Sequence, residues 1–153
     1  MKIRLLFVGK TARGPVSDLL NDYVARTQRM AVLEVVVVPE AAGADPARQQ
    51  QVESERCMAA LHPGERVVVL DERGQHLTST AHAARLGSWR DQGVREVVFV
   101  VGGAYGFNEA MRQRADLVLA LSAMTMPHQL IRPFLAEQIY RAFAILKRLP
   151  YHH

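Results

Sequence analysis

The sequence predicts an α/β protein with a mostly parallel β-sheet covered by helices on both faces. Five apolar, strand-like segments alternate with five helix-like segments along the 153 residues, and this alternation is typical of a sheet built from βαβ units. The strand-like segments are almost continuously apolar, as expected of parallel strands buried on both faces. No linker, repeat or low-complexity segment interrupts the pattern, so we expect one domain over residues 1–153.

The predicted strands are short runs rich in Val, Leu and Ile. They cover residues 2–9, 31–38, 65–70, 95–101 and 117–121. Gly9 ends the first strand and Pro39 closes the second, while a turn over residues 71–74 follows the third. Glycine and proline at these points favour chain reversal rather than continued extension.

A helix is predicted after each strand, over residues 15–28, 46–61, 79–93, 109–115 and 129–148. Polar residues that accept a hydrogen bond from the first helical turn mark three of the starts. These are Asp45 before Pro46, either Thr78 or Ser79, and Asn108. Pro46 favours the start of the helix over residues 46–61, because the N–H that proline lacks would be unpaired at the first helical position in any case.

The charge is a modest basic excess. The net charge of +4 is compatible with an RNA partner but does not require one. The cations cluster near both ends of the chain, at Lys2, Arg4, Lys10, Arg13, Arg132, Arg141, Lys147 and Arg148. If the two ends meet in space they form one basic face; an ordinary solvated surface is the competing interpretation.

Several classes of protein are disfavoured. Cys57 is the only cysteine, so neither an intrachain disulfide nor a cysteine zinc site is available. The six histidines show no ligand spacing with Asp, Glu or Cys, and we expect no metal. The apolar run over residues 1–8 is too short for a signal segment or a membrane span. We therefore expect a cytoplasmic protein with no membrane partner.

Three consecutive strands end in unusual sequence. The third ends at Leu70, the fourth at Gly102-Gly-Ala-Tyr-Gly106, and the fifth in residues 121–126. In an open parallel sheet, ligands bind beyond the carboxyl ends of the strands. The Gly-Gly-x-x-Gly pattern allows close backbone approach to a ligand, although a plain turn also explains it. Three such ends in one sheet predict a pocket.

The chain lacks the phosphate-binding motifs of common nucleotide folds. It contains neither Gly-x-x-x-x-Gly-Lys-Ser/Thr nor a Gly-x-Gly-x-x-Gly after the first strand, and Gly9-Lys-Thr11 matches only the end of a P-loop. A pocket of glycines and apolar residues without a phosphate clamp suits adenosine attached to another group.

Four segments together resemble the SPOUT methyltransferases, in particular minimal members that act on large-subunit ribosomal RNA. They are Val100-Val-Gly-Gly-Ala-Tyr-Gly106, Leu119-Ala-Leu-Ser-Ala-Met-Thr-Met-Pro-His-Gln-Leu-Ile-Arg132, Glu137-Gln-Ile-Tyr-Arg-Ala-Phe143 and Pro150-Tyr-His-His153. The resemblance runs the whole length of the chain. It implies a deep trefoil knot near the C-terminus, a homodimer, and S-adenosylmethionine bound in the knot. It also implies methylation of N3 of a pseudouridine in helix 69 of 23S rRNA on assembled ribosomes.

The resemblance also implies which residues form the cofactor site. They coincide with the three strand ends: Leu70, Gly102, Gly103, Leu121, Ser122, Ala123, Met124, Thr125 and Met126.

Four polar side chains near the pocket are candidates for catalysis. We expect Arg132 to stabilise the anionic base or to grip a neighbouring phosphate. His128 and His152 are candidate proton acceptors, and Tyr151 is a candidate for stacking on the target base.

Each of these side chains also has a structural alternative. His128 would cap the last helix, Arg132 would bind Gln129, Glu137 or backbone carbonyls, and the tail would be frayed. Under the resemblance, the tail instead folds over an active site, either its own or that of a partner subunit. Pro133 departs from the family pattern and leaves the pose of Arg132 open.

The last helix carries an apolar stripe broad enough to cover its own sheet and still face a second chain. The stripe contains Ile131, Phe134, Leu135, Ile139, Ala142, Phe143 and Leu146, and we expect a homodimer on that surface.

Two rival functions have different signatures. A non-catalytic ribosome- or RNA-binding module would bind RNA with an affinity that depends on salt but not on the cofactor. A flavodoxin-like nucleotide-binding domain would bind phosphate or flavin.

Overall fold

The computed structural model describes all residues 1–153 and confirms the alternation of strands and helices. The strands are β1 (Lys2–Val8), β2 (Val32–Val38), β3 (Arg66–His76), β4 (Glu96–Val101) and β5 (Leu117–Ala120). The helices are α1 (Pro15–Gln28), α2 (Pro46–Ala59), α3 (Ser79–Asp91), α4 (Glu109–Arg114) and α5 (Ile131–Leu146).

The five strands form one parallel sheet in the order β2-β1-β4-β3-β5. β1 lies between β2 and β4, so that Leu5 pairs with Val35 on one side and with Phe99 on the other. The predicted parallel sheet is thus confirmed. The strand order brings the carboxyl ends of β4, β3 and β5 side by side, which places the three unusual strand ends together.

Two apolar layers cover the sheet, one on each face. The larger layer joins it to α1, α3 and α5, through residues such as Leu20, Leu86 and Ile139. The smaller layer joins it to α2 and α4, through Cys57 and Met111. Burial of apolar surface in these layers is the main stabilising contribution to the fold. No helix combines the length and the apolar character that crossing a membrane requires.

The predicted capping residues begin three helices. The side chains of Asp45, Thr78 and Asn108 accept hydrogen bonds from backbone N–H groups three residues ahead, at distances of 3.0–3.1 Å. Thr78 rather than Ser79 is therefore the cap of α3. α5 begins at Ile131, so Pro133 lies in its first turn, where a missing N–H breaks no intrahelical hydrogen bond.

β3 is longer than predicted. The expected turn over residues 71–74 is a bulge inside the strand, because Leu70 and Gln75 both pair with Leu119 of β5. At Gly74 the bulge passes directly over β5: a Cβ there would lie 2.5 Å from the Val118 carbonyl oxygen. Only glycine fits this close backbone approach.

The chain turns back sharply after α5. Arg148 adopts a left-handed conformation with φ of 55°. Its N–H donates to the Ile145 carbonyl (3.0 Å), and the Leu149 N–H donates to the Ala144 carbonyl (2.8 Å). This is the Schellman arrangement, in which glycine usually holds the left-handed position. The C-terminal tail consequently lies along α5. The trefoil knot stays a prediction of the resemblance.

Candidate functional site

A cavity of about 330 Å³ lies at the carboxyl ends of β4, β3 and β5. This volume is in the range of small-molecule sites. Eight of the nine predicted cofactor residues line it: Leu70, Gly102, Gly103, Leu121, Ser122, Met124, Thr125 and Met126. Ala123 is exposed and lies outside the lining.

The diglycine after β4 forms one wall, and it has no room for side chains. A Cβ on Gly102 would lie 3.1 Å from the Phe107 ring, and a Cβ on Gly103 would lie 2.7 Å from Glu53 Oε1. Gly106 closes the turn with φ of 67° and donates its N–H to the Gly103 carbonyl. The backbone therefore forms this wall directly, as the Gly-Gly-x-x-Gly pattern predicted.

Glu53 supports the diglycine from behind. Its side chain is almost fully buried. Oε2 accepts hydrogen bonds from the Ala41 N–H (2.9 Å) and the Gln49 side chain (3.1 Å), while Oε1 has no partner. Glu53 is thus anchored through Oε2, and it occupies the space behind Gly103 that a side chain at that position would need.

The loop over residues 121–126 forms the opposite wall. The Ser122 hydroxyl accepts a hydrogen bond from the Met124 N–H (3.0 Å), and the Thr125 hydroxyl donates to Glu72 in the β3 bulge (2.6 Å). The Met124 side chain is 78% exposed. The loop is therefore fixed to the bulge while an apolar side chain remains open to solvent.

The rim of the cavity carries residues that sequence reasoning did not assign to the site. Burial alone would raise the pKa of the Asp71 carboxyl, but hydrogen bonds from Arg73 and the charges of Arg73 and Arg112 lower it overall. Asp71 is therefore an ionised acceptor at neutral pH. Tyr105, 47% exposed, places an aromatic ring in the lining. Two features of the sequence could have predicted that these residues belong to the site: Asp71 directly follows Leu70, and Tyr105 lies inside the Gly-Gly-x-x-Gly pattern.

His128 lies in the cavity lining and is half-buried. Burial, followed by the charge of Arg132, lowers the pKa of its imidazole below the ordinary 6.5, and Glu40 and Glu53 oppose this shift. His128 is therefore mostly neutral at physiological pH and available to accept a proton.

Arg132 lies away from the cavity. Its side chain is completely buried, and Nη2 donates to the Val8 carbonyl (2.7 Å). Nη1 donates to the Gly9 carbonyl and the Thr11 hydroxyl, both at 3.0 Å. Burial lowers the pKa of Arg132 to about 10, which leaves it charged at neutral pH. The guanidinium, which was expected to face the target base, instead fixes the end of β1 through these hydrogen bonds.

Tyr151 and His152 belong to a polar cluster along α5 and do not line the cavity of their own chain. The Tyr151 hydroxyl donates to Glu137 (2.9 Å), and its ring packs against the Tyr140 ring and under the Arg141 guanidinium. His152 Nδ1 lies 3.2 Å from Arg141 Nη1. Burial, with hydrogen bonds to Tyr23 and Glu137, raises the pKa of Tyr151. The tail is therefore ordered rather than frayed.

The basic ends of the chain do not form one face. Lys2 and Arg4 lie at the amino end of β1, the opposite edge of the sheet from the cavity. Lys2 pairs with Glu34 (3.1 Å) and Arg4 with Glu65 (3.0 Å). Arg132 is buried, and Arg141 pairs with Glu137.

A His–Glu cluster lies at the same amino edge. His62 Nδ1 is 2.8 Å from Glu96 Oε2. Together with Glu65, these residues place three potential metal-ligating atoms within 4.8 Å of one another. Glu65 already accepts hydrogen bonds from Arg4 and from the His62 N–H. The positive guanidinium beside that carboxylate disfavours a cation.

Comparison with known proteins identifies the family. A family model described as "Predicted SPOUT methyltransferase" matches residues 1–152. Proteins named ribosomal RNA large subunit methyltransferase H are similar to this chain over their full length. That of Geobacter sp. (strain M21) is 44% identical over 100% of this chain and 99% of its own, and that of Rhodospirillum centenum is 46% identical over 99% of both.

A solved structure has the same fold. It is a probable methyltransferase from Bordetella pertussis Tohama I, with a TM-score of 0.60 and 14% identity, covering 93% of this chain and 96% of that one. The full-length family match confirms the resemblance, and the chain belongs to the SPOUT methyltransferase family.

Proposed function

We propose that this protein is an S-adenosylmethionine-dependent methyltransferase of large-subunit ribosomal RNA. Its specific target would be N3 of a pseudouridine in helix 69 of 23S rRNA, on assembled ribosomes. The observation that carries the proposal is the cavity at the ends of β3, β4 and β5.

The cavity fits an adenosyl group. Gly102 and Gly103 have no room for side chains, so this wall of the cavity is bare backbone, and a flat adenine ring can lie close against it. Leu70 and Leu121 supply apolar contacts, and no P-loop or dinucleotide-binding motif is present in the sequence to clamp phosphates. S-adenosylmethionine, when bound, supplies an activated methyl group on a sulfonium, so the transfer needs no metal.

The work left to the protein is orientation and proton removal. N3 of a uracil-type ring carries a proton and must lose it to become a nucleophile. His128, neutral and at the cavity wall, is the residue we assign to accept that proton. Holding the ring in line with the methyl group supplies on the order of 7–11 kcal/mol of the barrier reduction. Arg132 would act as a positioning residue: it fixes the end of β1, and Gln129, the neighbour of His128, binds the residues that follow.

A second copy of the chain would complete the site. Tyr151 and His152 lie outside the cavity of their own chain, while three large apolar side chains near the cavity face solvent, at Met124, Leu130 and Phe134. We infer that these residues form part of a homodimer interface and that the tail of one subunit reaches the cavity of the other. Tyr151 would then stack on the target base, and His152 would be a second candidate proton acceptor.

The RNA substrate is inferred from the relatives. Their names state a large-subunit ribosomal RNA substrate, and they match 99–100% of this chain. The direct test is mass mapping of methyl groups on ribosomal RNA from cells that carry or lack this gene. We expect one methylated pseudouridine of helix 69 to appear only when the gene is present. Identical maps would refute the proposal and favour the non-catalytic RNA-binding module.

A further inference from the structure

The loop after β1, residues 9–14, carries two exposed cations on a backbone that is fixed from below. We propose that Lys10 and Arg13 in this 9–14 loop bind phosphates of the RNA strand that enters the cavity. This inference rests on the proposed function and assigns the RNA-contacting surface that it requires.

The side chains of Arg132 in α5 and of Gln129 just before it hold the loop in place. Arg132 donates to the carbonyls of Val8 and Gly9 and to the Thr11 hydroxyl. Gln129 Oε1 accepts from the Ala12 N–H (2.8 Å), and Gln129 Nε2 donates to the Lys10 carbonyl (3.1 Å). Three of these five hydrogen bonds involve the loop backbone, at Gly9, Lys10 and Ala12. A loop fixed in this way loses less entropy when its cations bind a ligand.

The two cations have no acidic partner in the chain. Lys10 and Arg13 are exposed and form no ion pair, whereas Lys2 and Arg4 at the other end of β1 are both paired. Glu40 is the acidic residue beside Gly9, but its charge acts on the buried Arg132 and on His128. The positive charge of the loop is therefore left for an external anion.

The loop is bound to a segment that borders the cavity. Gln129, which binds the loop backbone, directly follows His128, which lines the cavity. β1 is also the sheet neighbour of β4, whose diglycine forms the cavity wall. An RNA strand with its target base beside His128 would run past Lys10 and Arg13.

The chemistry of the loop favours RNA over a protein partner. Residues 9–14 offer cations, a threonine, an alanine and glycines, but no large apolar side chain. Protein interfaces have an apolar core, while contacts to RNA backbones come from Lys and Arg and position the strand without reading its sequence.

The test compares two double variants of the full chain. Lys10→Ala/Arg13→Ala removes the proposed contacts, and Arg29→Ala/Arg95→Ala removes two exposed cations near the amino edge of the sheet. Affinity for purified bacterial ribosomes is measured by co-sedimentation at several KCl concentrations. Methyl transfer and calorimetry with S-adenosylmethionine are measured in parallel.

We expect the Lys10/Arg13 variant to bind ribosomes about tenfold more weakly, with the slope of log affinity against log salt reduced by roughly 2. Its kcat and its affinity for S-adenosylmethionine should stay unchanged, and the control variant should match the wild type throughout. Wild-type ribosome affinity and salt slope in the Lys10/Arg13 variant would overturn the inference, as would an equal loss in the control. Failure of the wild type to transfer methyl groups would instead overturn the proposed function, and the inference with it.

Discussion

The Arg132 side chain connects the last helix to the end of the first strand. Its removal leaves the Val8 and Gly9 carbonyls and the Thr11 hydroxyl without this donor, and hydrogen bonds from a charged group are among the stronger ones. Each buried acceptor left without a donor costs about 1–3 kcal/mol. We therefore expect Arg132→Ala to reduce the free energy of unfolding by about 2–4 kcal/mol, measured by urea denaturation.

Two further variants make the Arg132 test specific. Arg132→Lys keeps the charge but lacks the planar fork that reaches three acceptors, so its loss should be intermediate. Arg95→Ala, at an exposed position, should leave stability almost unchanged. A loss below about 1 kcal/mol in Arg132→Ala would show that the buried hydrogen bonds are not important for stability.

We expect protonation of His128 to limit methyl transfer at low pH. Because burial and the charge of Arg132 lower its pKa below 6.5, the proton-accepting form predominates at neutral pH and is lost as the pH falls through that lowered value. We expect kcat/KM to decline on the acid side with an apparent pKa below 6.5. His128→Asn should lower the maximal rate by about 10²–10⁴-fold and abolish that decline. An unchanged acid limb in the variant would exclude His128 as the base.

At the level of the elements, local sequence signals predicted most of the fold. Asp45, Thr78 and Asn108 occupy positions where a side-chain acceptor is needed. The continuous apolar runs over residues 5–8 of β1 and 97–101 of β4 predicted strands buried on both faces, and they are buried. Gly102 and Gly103 marked the cavity because a strand end rich in glycine leaves the backbone accessible.

The features that sequence could not predict depend on contacts between distant segments. The neighbouring sequence predicts that Gly74 is a turn residue. In the structure a glycine is required there because the backbone of β5 lies directly against it. Arg132 follows the cavity loop in sequence, yet its partners are at the end of β1. The order of the strands, which brings those segments together, has no local signal.

Arg148, just after α5, has a strained backbone conformation, and a glycine at this position would remove the strain. Arg148 holds a left-handed conformation that costs an L-residue roughly 1–2 kcal/mol, and glycine adopts it without that cost. Arg148→Gly should therefore stabilise the protein by about 0.5–1 kcal/mol, after the entropy of a more flexible unfolded chain is deducted. The shift in the urea midpoint measures this. Destabilisation would mean that the Arg148 side chain makes a favourable contact that outweighs the strain.

At the scale of the whole molecule, most of the apolar stripe on α5 is buried within a single chain. Leu135, Ile139, Ala142 and Phe143 are buried against the sheet and neighbouring helices, and Phe134 remains 51% exposed. The proposed homodimer interface would therefore depend on Phe134 and its exposed neighbours rather than on the full stripe.

Phe134→Glu tests that interface. A charge in an apolar contact should yield a monomer by sedimentation velocity, and the monomer should lose methyl transfer while keeping its affinity for S-adenosylmethionine, because the cavity lies within one chain. Val32→Glu changes an exposed apolar residue at the amino end of β2 and should remain dimeric and active. A dimeric Phe134→Glu protein would place the interface elsewhere.

The central claim is that the ends of β3, β4 and β5 form an adenosyl site, and calorimetry with S-adenosylmethionine tests it most directly. Leu121 lines the cavity, whereas Ala123 in the same loop lies outside the lining. We predict one binding site per chain in the wild type, wild-type affinity in Ala123→Trp, and at least about tenfold weaker binding in Leu121→Trp, since the added ring occupies the cavity. Equal affinity in both variants, or no binding by the wild type with or without ribosomes, would contradict the claim.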